Sequence, residues 1–350
     1  MVEPDFRPLA GISPGAATPR ISILLPFYNA AETLASCLRS IQRQTETRWE
    51  CIAVDDGSSD PGPGLVEAAR DADPRFVLIS RPRAGLVAAL NAGLEHCQAE
   101  FTARMDADDW MHRDRLAAQL SQLESQPELA GLGTRVRTFP RGAHNPGRQR
   151  YEKWLNRLVE PESVARDAFI ECPIAHPTLM LRSEILRAFG YRAMGWPEDY
   201  DLLLRLLAAD HALAVHPRRL LGWRDGPARL SRQALEYTLE RFTACKAAHL
   251  ASGPLAGSER YLLWGYGATG RALRRALLHL GKSPSHIVEV HPRRLGQVIH
   301  GAPVVPPESI PELPRHPLLV SVAGPGPRAE IRATLAALAL REGIDFYCVA

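Results

Sequence analysis

The chain has 350 residues, enough for about two domains, and its 45% hydrophobic and 23% charged content is that of an ordinary globular protein. A formal net charge of +3, with no basic run interleaved with aromatics, argues against a nucleic-acid partner. The six cysteines lack metal or redox spacing, and no stretch approaches the roughly 18 apolar residues of a transmembrane helix, which leaves a reduced, cytoplasmic protein, free to attach at the inner face of a membrane, as the expectation.

Residues 1–19, rich in Pro, Gly and Ala, read as a loose arm without a signal core. Ile21 to Leu25 predicts a buried strand stopped by Pro26, followed by a turn at Phe27-Tyr28-Asn29. Asn29 with Glu32 three residues later predicts a capping-box start to a helix with Leu34, Leu38 and Ile41 on one face. Glu50 to Val54 is a second strand, ending in Asp55-Asp56-Gly57-Ser58-Ser59-Asp60. A helix from about Gly64, a strand at Phe76–Ile79 and a helix from about Gly85 to Cys97 follow. Glu100 to Ala103 then reads as a strand running out into Arg104-Met105-Asp106-Ala107-Asp108-Asp109-Trp110.

Side chains two apart on a strand share a face, so Asp106 and Asp108 are expected to face one pocket, with Asp109 starting the turn. Paired carboxylates stay ionised beside a cation, and a hard divalent ion shared with substrate phosphates suits them. The simpler alternative is a loop in which Asp109 caps the next helix, whose inward face is Leu116, Leu120 and Leu123. Alternating strands and helices predict an α/β fold with a largely parallel sheet, whose ligands bind beyond the carboxyl ends of the strands. Three strands here end in polar clusters at Pro26–Asn29, Asp55–Ser58 and Asp106–Asp109, an arrangement suited to a nucleotide diphosphate bridged by a metal.

Pro26-Phe27-Tyr28-Asn29, Val54-Asp55-Asp56-Gly57-Ser58, Ala89-Leu90-Asn91-Ala92-Gly93 and Met105-Asp106-Ala107-Asp108-Asp109 together resemble the donor half of family 2 glycosyltransferases, in order and spacing. The resemblance covers roughly Arg20 to Leu250. It implies the GT-A fold and a nucleotide-diphosphate sugar donor. It further implies that Pro26, Phe27 and Asn29 line the nucleotide pocket, that Asp55 recognises the base and that Asp56 lies close to the nucleotide. Asp106 would sit at the ribose and metal, and Asp108 would bind the metal, Mn²⁺ or Mg²⁺.

Beyond Glu128, residues 129–139 can hold another strand, 141–150 read as a basic loop over an anionic group or simply in solvent, and 151–159 as a short amphipathic helix. Trp196-Pro197-Glu198-Asp199-Tyr200-Asp201 opens a helix where acids also suit the dipole. The resemblance implies instead that Asp199 is the base that takes the proton of the acceptor hydroxyl, and that Asp201 is structural. His176 is either a core histidine or a residue near the acceptor. Trp223-Arg224 with Arg229 to Arg232 resembles the segment that closes over the diphosphate, and Arg224 or Arg229 suits phosphate. No histidine lies between His216 and His249, which leaves a third protein metal ligand open.

Tyr261 to Trp264 predicts a strand leading into Gly265-Tyr266-Gly267-Ala268-Thr269-Gly270 and a helix, and another strand follows with Glu289 or His291 where an acid would meet a ribose. Residues 258–350 thus resemble a small Rossmann-like domain after a transferase domain at 20–252, with a dinucleotide at Gly265, Gly267, Gly270 and Glu289 or glycines that serve packing alone. The reading is an inverting, metal-dependent glycosyltransferase acting on a glycan, lipid-linked or other hydroxyl acceptor in surface polysaccharide or glycoconjugate synthesis. The alternatives are a nucleotide-sensing protein with an inactive transferase half, and an oxidoreductase or epimerase centred on the C-terminal glycines.

Overall fold

The computed structural model describes residues 18–140, 146–226 and 234–350, and the chain forms two compact units. Among the described residues the first comprises 18–140, 146–161, 174–193 and 209–226, and the second comprises 162–173, 194–208 and 234–350.

In the first unit the expected alternation holds. β1 (Ile21–Phe27), α1 (Ala31–Gln42), β2 (Trp49–Asp55), α2 (Gly62–Ala72), β3 (Phe76–Ser80), α3 (Leu86–His96) and β4 (Phe101–Arg104) follow one another. The continuous apolar runs of β1 and β2 are buried on both faces, as central parallel strands require. A short β5 (Trp110–Met111), α4 (Arg115–Ser125), β6 (Leu129–Phe139), α5 (Pro146–Leu155), β7 (Met180–Arg182), α7 (Ser183–Phe189) and β8 (Ala212–Arg224) complete this unit, with α6 (Pro161–Asp167) intervening before β7. Among the described residues the sheet runs β3-β2-β1-β4-β7-β6-β8-β5. β3, β2, β1 and β4 are parallel, whereas β7 is antiparallel to both β4 and β6.

Pro26 does not stop β1. The strand continues to Phe27, which pairs with Asp55. Strand residues bond alternately to either neighbour: Leu24 accepts from Met105 N–H (3.1 Å), on the β4 side, and Phe27 from Asp56 N–H (3.0 Å), on the β2 side. Pro26 thus turns its missing donor to the β4 side, beyond the last paired residue Arg104, where no ladder bond is lost. Two further expectations are corrected. Residues 146–150 are helical rather than part of a loop, and α5 ends at Leu155, short of residue 159. Residues 141–145, the rest of the expected basic loop, lie outside the described residues.

The second unit contains α8 (Glu198–Ala208), α9 (Leu239–Ser252), β9 (Arg260–Trp264), α10 (Ala268–Leu278), β10 (Ser283–Val288), β11 (Val298–Ile299), β12 (Ala302–Val305), β13 (Leu318–Val320), α11 (Pro325–Ala337) and β14 (Phe346–Cys348). Its sheet runs β11-β12-β10-β9-β13-β14, parallel except for β11. Leaving β11 aside, this is a 3-2-1-4-5 order, which places a topological switch point between β9 and β13. Residues 162–173 are anchored inside this unit. Arg332 donates to Asp167 (2.7 Å) and pairs with Glu342, and Lys246 Nζ donates to the carbonyls of Ile170 (3.0 Å) and Val349 (2.7 Å). Tyr200 of α8 donates its hydroxyl to Ala168 O (2.8 Å), so the helix with Asp199 rests on that anchored segment.

Candidate functional site

The polar ends of β1, β2 and β4 lie at the carboxyl edge of the parallel strands. Asn29 is not a helix cap. It stands at φ +46°, a left-handed conformation that Asn tolerates, and links two loops: its N–H donates to Ser58 Oγ (2.9 Å), and its Oδ1 accepts from Ser59 N–H (2.8 Å). The first turn of α1 is capped from afar, by Asp60 accepting from Ala31 N–H at 2.7 Å. Phe27 is buried in the core, while Tyr28 is 41% exposed with the Arg83 guanidinium 3.2 Å over its ring.

Asp55 and Asp56 are both buried, for different ends. Asp55 Oδ1 accepts from Ser58 N–H (2.9 Å), closing its turn. Asp56 accepts from the N–H groups of Ala84 (3.0 Å) and Gly85 (2.8 Å) and pairs with Arg81, so its carboxylate shapes the loop before α3. At the other end of α3's motif, Asn91 exchanges bonds with the backbone of Tyr191 (2.9 and 3.0 Å), and Tyr191 Oη meets His176 Nε2 at 2.9 Å. His176 is buried. Burial, then the nearby Arg104, pushes its pKa down to about 3 against the pull of Asp106, so its ring is neutral at pH 7.

The acidic run is gathered by a turn and not by strand alternation. β4 ends at Arg104, and Asp109 N–H donates to Asp106 O (3.2 Å), closing a turn over Asp106–Asp109. One carboxylate oxygen from each of Asp106, Asp108 and Asp109 lies within 4.8 Å of the others. Asp109 does not cap α4, which starts at Arg115. It is buried and accepts from Arg224 N–H at 2.6 Å. The Arg224 side chain donates through Nε to Asp108 O (2.6 Å) and lies over Phe139, so it supports the turn from β8. Three hard oxygen donors this close fit a divalent ion such as Mg²⁺ or Mn²⁺.

Two buried arginines, to which the sequence assigns no role, sit beneath this turn. Arg104 is buried and donates to Asp106 Oδ1 (2.6 Å), offsetting part of its charge. Arg115, fully buried, donates to Arg104 O (2.9 Å) and Gln119 Oε1 (2.9 Å), and burial lowers its pKa to about 9. Arginine is rarely buried without partners, so Arg104 in an otherwise apolar strand was the available signal.

In the second unit, Glu198 accepts from the Tyr237 hydroxyl (2.6 Å) and is buried. Asp199, partly exposed in the first turn of α8, accepts from Tyr200 N–H (2.7 Å). Asp201 is structural, accepting from Trp196 Nε1, Arg205 Nε and His249 Nε2. Burial pushes its carboxyl up, but bonds from His249 and Arg205 outweigh this and hold it below the usual range. Residues Arg229 to Arg232 lie outside the described residues.

The three glycines after β9 have distinct roles. Gly265 has φ +90°, and a Cβ there would meet Val322 Cγ2 at 2.6 Å. A Cβ on Gly270 would meet Gly265 O at 2.5 Å and Ser321 Oγ at 2.6 Å, so this glycine permits close helix-to-strand packing. Gly267 faces open space. Glu289 pairs with Arg294 (2.8 Å) just beyond β10.

The family model for glycosyl transferase family 2 matches residues 22–190. The amylovoran biosynthesis glycosyltransferase AmsE of Erwinia amylovora is 33% identical over 211 residues, 59% of this chain and 76% of that protein. The chain belongs to glycosyl transferase family 2. This family 2 glycosyltransferase is also similar to the UDP-Glc:alpha-D-GlcNAc-diphosphoundecaprenol beta-1,3-glucosyltransferase WfgD of Escherichia coli, 26% identical over 56% of this chain and 73% of that one. Its fold is that of Staphylococcus aureus TarS 1-349 in complex with UDP-GlcNAc (TM-score 0.56, 15% identity, 75% of this chain and 73% of that chain). It also matches the mannosyltransferase PcManGT of Pyrobaculum calidifontis in complex with GDP-Man and Mn²⁺ (TM-score 0.50, 18% identity, 93% and 82%). The transferase thus has the GT-A fold, with a small second α/β domain. No described helix is long and apolar enough to cross a membrane.

Proposed function

We propose that the enzyme transfers a sugar, with inversion, from a nucleotide-diphosphate sugar to a hydroxyl acceptor, dependent on a divalent metal. The observation that carries this reading is the gathering of the Asp106, Asp108 and Asp109 carboxylates in one turn at the carboxyl edge of the parallel sheet. Asp106 and Asp108 would hold Mg²⁺ or Mn²⁺, which supplies charge neutralisation for the departing diphosphate. Asp55, buried at the end of β2, suits base recognition, and Pro26, Phe27, Asn29 and Asp56 would line the nucleotide pocket beside it. Asp199 takes the acceptor proton as the acceptor oxygen attacks the anomeric carbon. The partial exposure of Asp199 at the start of α8 supports that role. Similarity to WfgD and AmsE supports a glycan or lipid-linked acceptor in polysaccharide synthesis, and an acceptor of the lipid-linked kind would bring the enzyme to the inner face of a membrane.

Calorimetry with a panel of nucleotide diphosphates, with and without Mn²⁺, and a transfer assay test this together. Asp108→Asn is expected to abolish the metal-dependent part of donor binding and turnover. Asp199→Asn is expected to keep donor binding and slow transfer by about 10²- to 10⁴-fold, the usual contribution of a positioned base. Near-normal turnover of Asp199→Asn would overturn the base assignment, and metal-independent binding would overturn the metal site.

A dinucleotide at the second sheet is a second reading, favoured by the 3-2-1-4-5 strand order and the open face of Gly267. The pairing of Glu289 with Arg294 weighs against ribose recognition there.

A further inference from the structure

We propose that a basic pocket on the first unit, lined by Arg135 of β6, Glu152 and Lys153 of α5, Asn156 and Arg157 just after it, and Arg219 of β8, binds a phosphate-bearing anion independently of the donor site. The cavity is about 240 Å³, room for a phosphate or diphosphate group. Neither the Asp106–Asp109 turn nor Arg224, which supports it, lines this pocket, and Arg219 precedes Arg224 by five positions, roughly 17 Å along an extended strand, so the two are distinct.

The charge arrangement favours an anionic ligand. β6 and β8 shift register between Thr134 and Arg135 and again before Val136, and these shifts bring Arg135 opposite Arg219. Like charges placed opposite each other on neighbouring strands destabilise a sheet, and such irregularities commonly re-aim side chains beside functional sites. Asn156 fixes the irregularity, accepting from Val136 N–H (2.8 Å) and donating to Val136 O (3.0 Å). The lone carboxylate of the pocket is committed elsewhere, since Glu152 Oε2 accepts from the N–H and hydroxyl of Thr138. Among the described residues, none of Arg135, Lys153, Arg157 and Arg219 forms an ion pair. Arg135 donates through Nη1 to Pro217 O (2.9 Å), and its buried Nε has no hydrogen-bond partner. Fork-shaped guanidinium donors flanking a small cavity recognise phosphate oxygens.

The chemistry is shared by a soluble phosphate compound and a lipid headgroup, and the test separates them. Inorganic pyrophosphate is titrated in EDTA into the full chain, into Arg157→Ala/Arg219→Ala, and into Arg43→Ala/Arg70→Ala, which removes equal charge elsewhere. Cosedimentation of the same proteins with phosphatidylglycerol and phosphatidylcholine vesicles forms the second arm. Pyrophosphate binding at least tenfold weaker in the pocket variant alone assigns a soluble phosphate. A preference for phosphatidylglycerol lost in the pocket variant alone assigns a lipid phosphate. Equal behaviour of the two double variants in both arms, or no binding by the full chain in either, overturns the proposal. Metal-dependent nucleotide binding, read separately, is expected to survive the pocket variant.

Discussion

His176 shows what single side chains contribute around the acidic turn. Its ring nitrogen meets the Tyr191 hydroxyl inside the protein, and burial holds its pKa near 3, below the 6.5 of an unfolded chain. Between those values the unfolded state takes up a proton that the folded state refuses, so stability is complete above pH 6.5 and falls as pH drops towards 3. Each pH unit within that window is worth about 1.4 kcal/mol. Urea midpoints at pH 7 and pH 5 are expected to diverge less in His176→Gln than in the parent chain; equal divergence would show that other groups set the slope. At this scale the meeting of Asp106 and Asp108 was legible in the sequence because the acids stand together where a short apolar strand ends. Arg104 and Arg115 were not, because an arginine's burial depends on carbonyl and carboxylate partners brought together only by folding.

At the scale of elements, the strands and helices of the first unit were legible because their apolar runs are long and their helical stripes regular. Loop chemistry was less so. Asn29 and Glu32 have capping-box spacing, yet Asp60, some thirty positions away, supplies the acceptor for α1. Asp106 and Asp108 converge through a turn, although strand alternation predicted the same convergence for a different reason. The glycines after β9 give a paired prediction. Gly270→Ala forces a methyl against Gly265 O and Ser321 Oγ, and overpacking of this kind costs about 1–3 kcal/mol. Gly267→Ala meets open space and is expected to leave the melting temperature nearly unchanged. If Gly267→Ala keeps its melting temperature but weakens NAD⁺ binding measured by calorimetry, the glycines hold a ligand. If neither the substituted chain nor its parent binds, they serve packing alone.

At the scale of the whole molecule, the chain does not divide at one linker. Residues 162–173 and 194–208, which lie within the stretch of sequence that resembles a transferase, belong to the unit built on the second sheet. Local pattern did not reveal this, because membership of a compact unit depends on long-range anchors such as Arg332 to Asp167 and Lys246 to Val349. Through Tyr200 and Ala168 those anchors also carry the helix of Asp199. The second sheet is therefore no detachable passenger. A gene truncated after the transferase motifs would still encode the acidic turn, but the proposed base would stand on a helix stripped of its footing. On that reading, selection for sugar transfer alone would preserve the last ninety or so residues, even in a lineage where their glycines bound nothing.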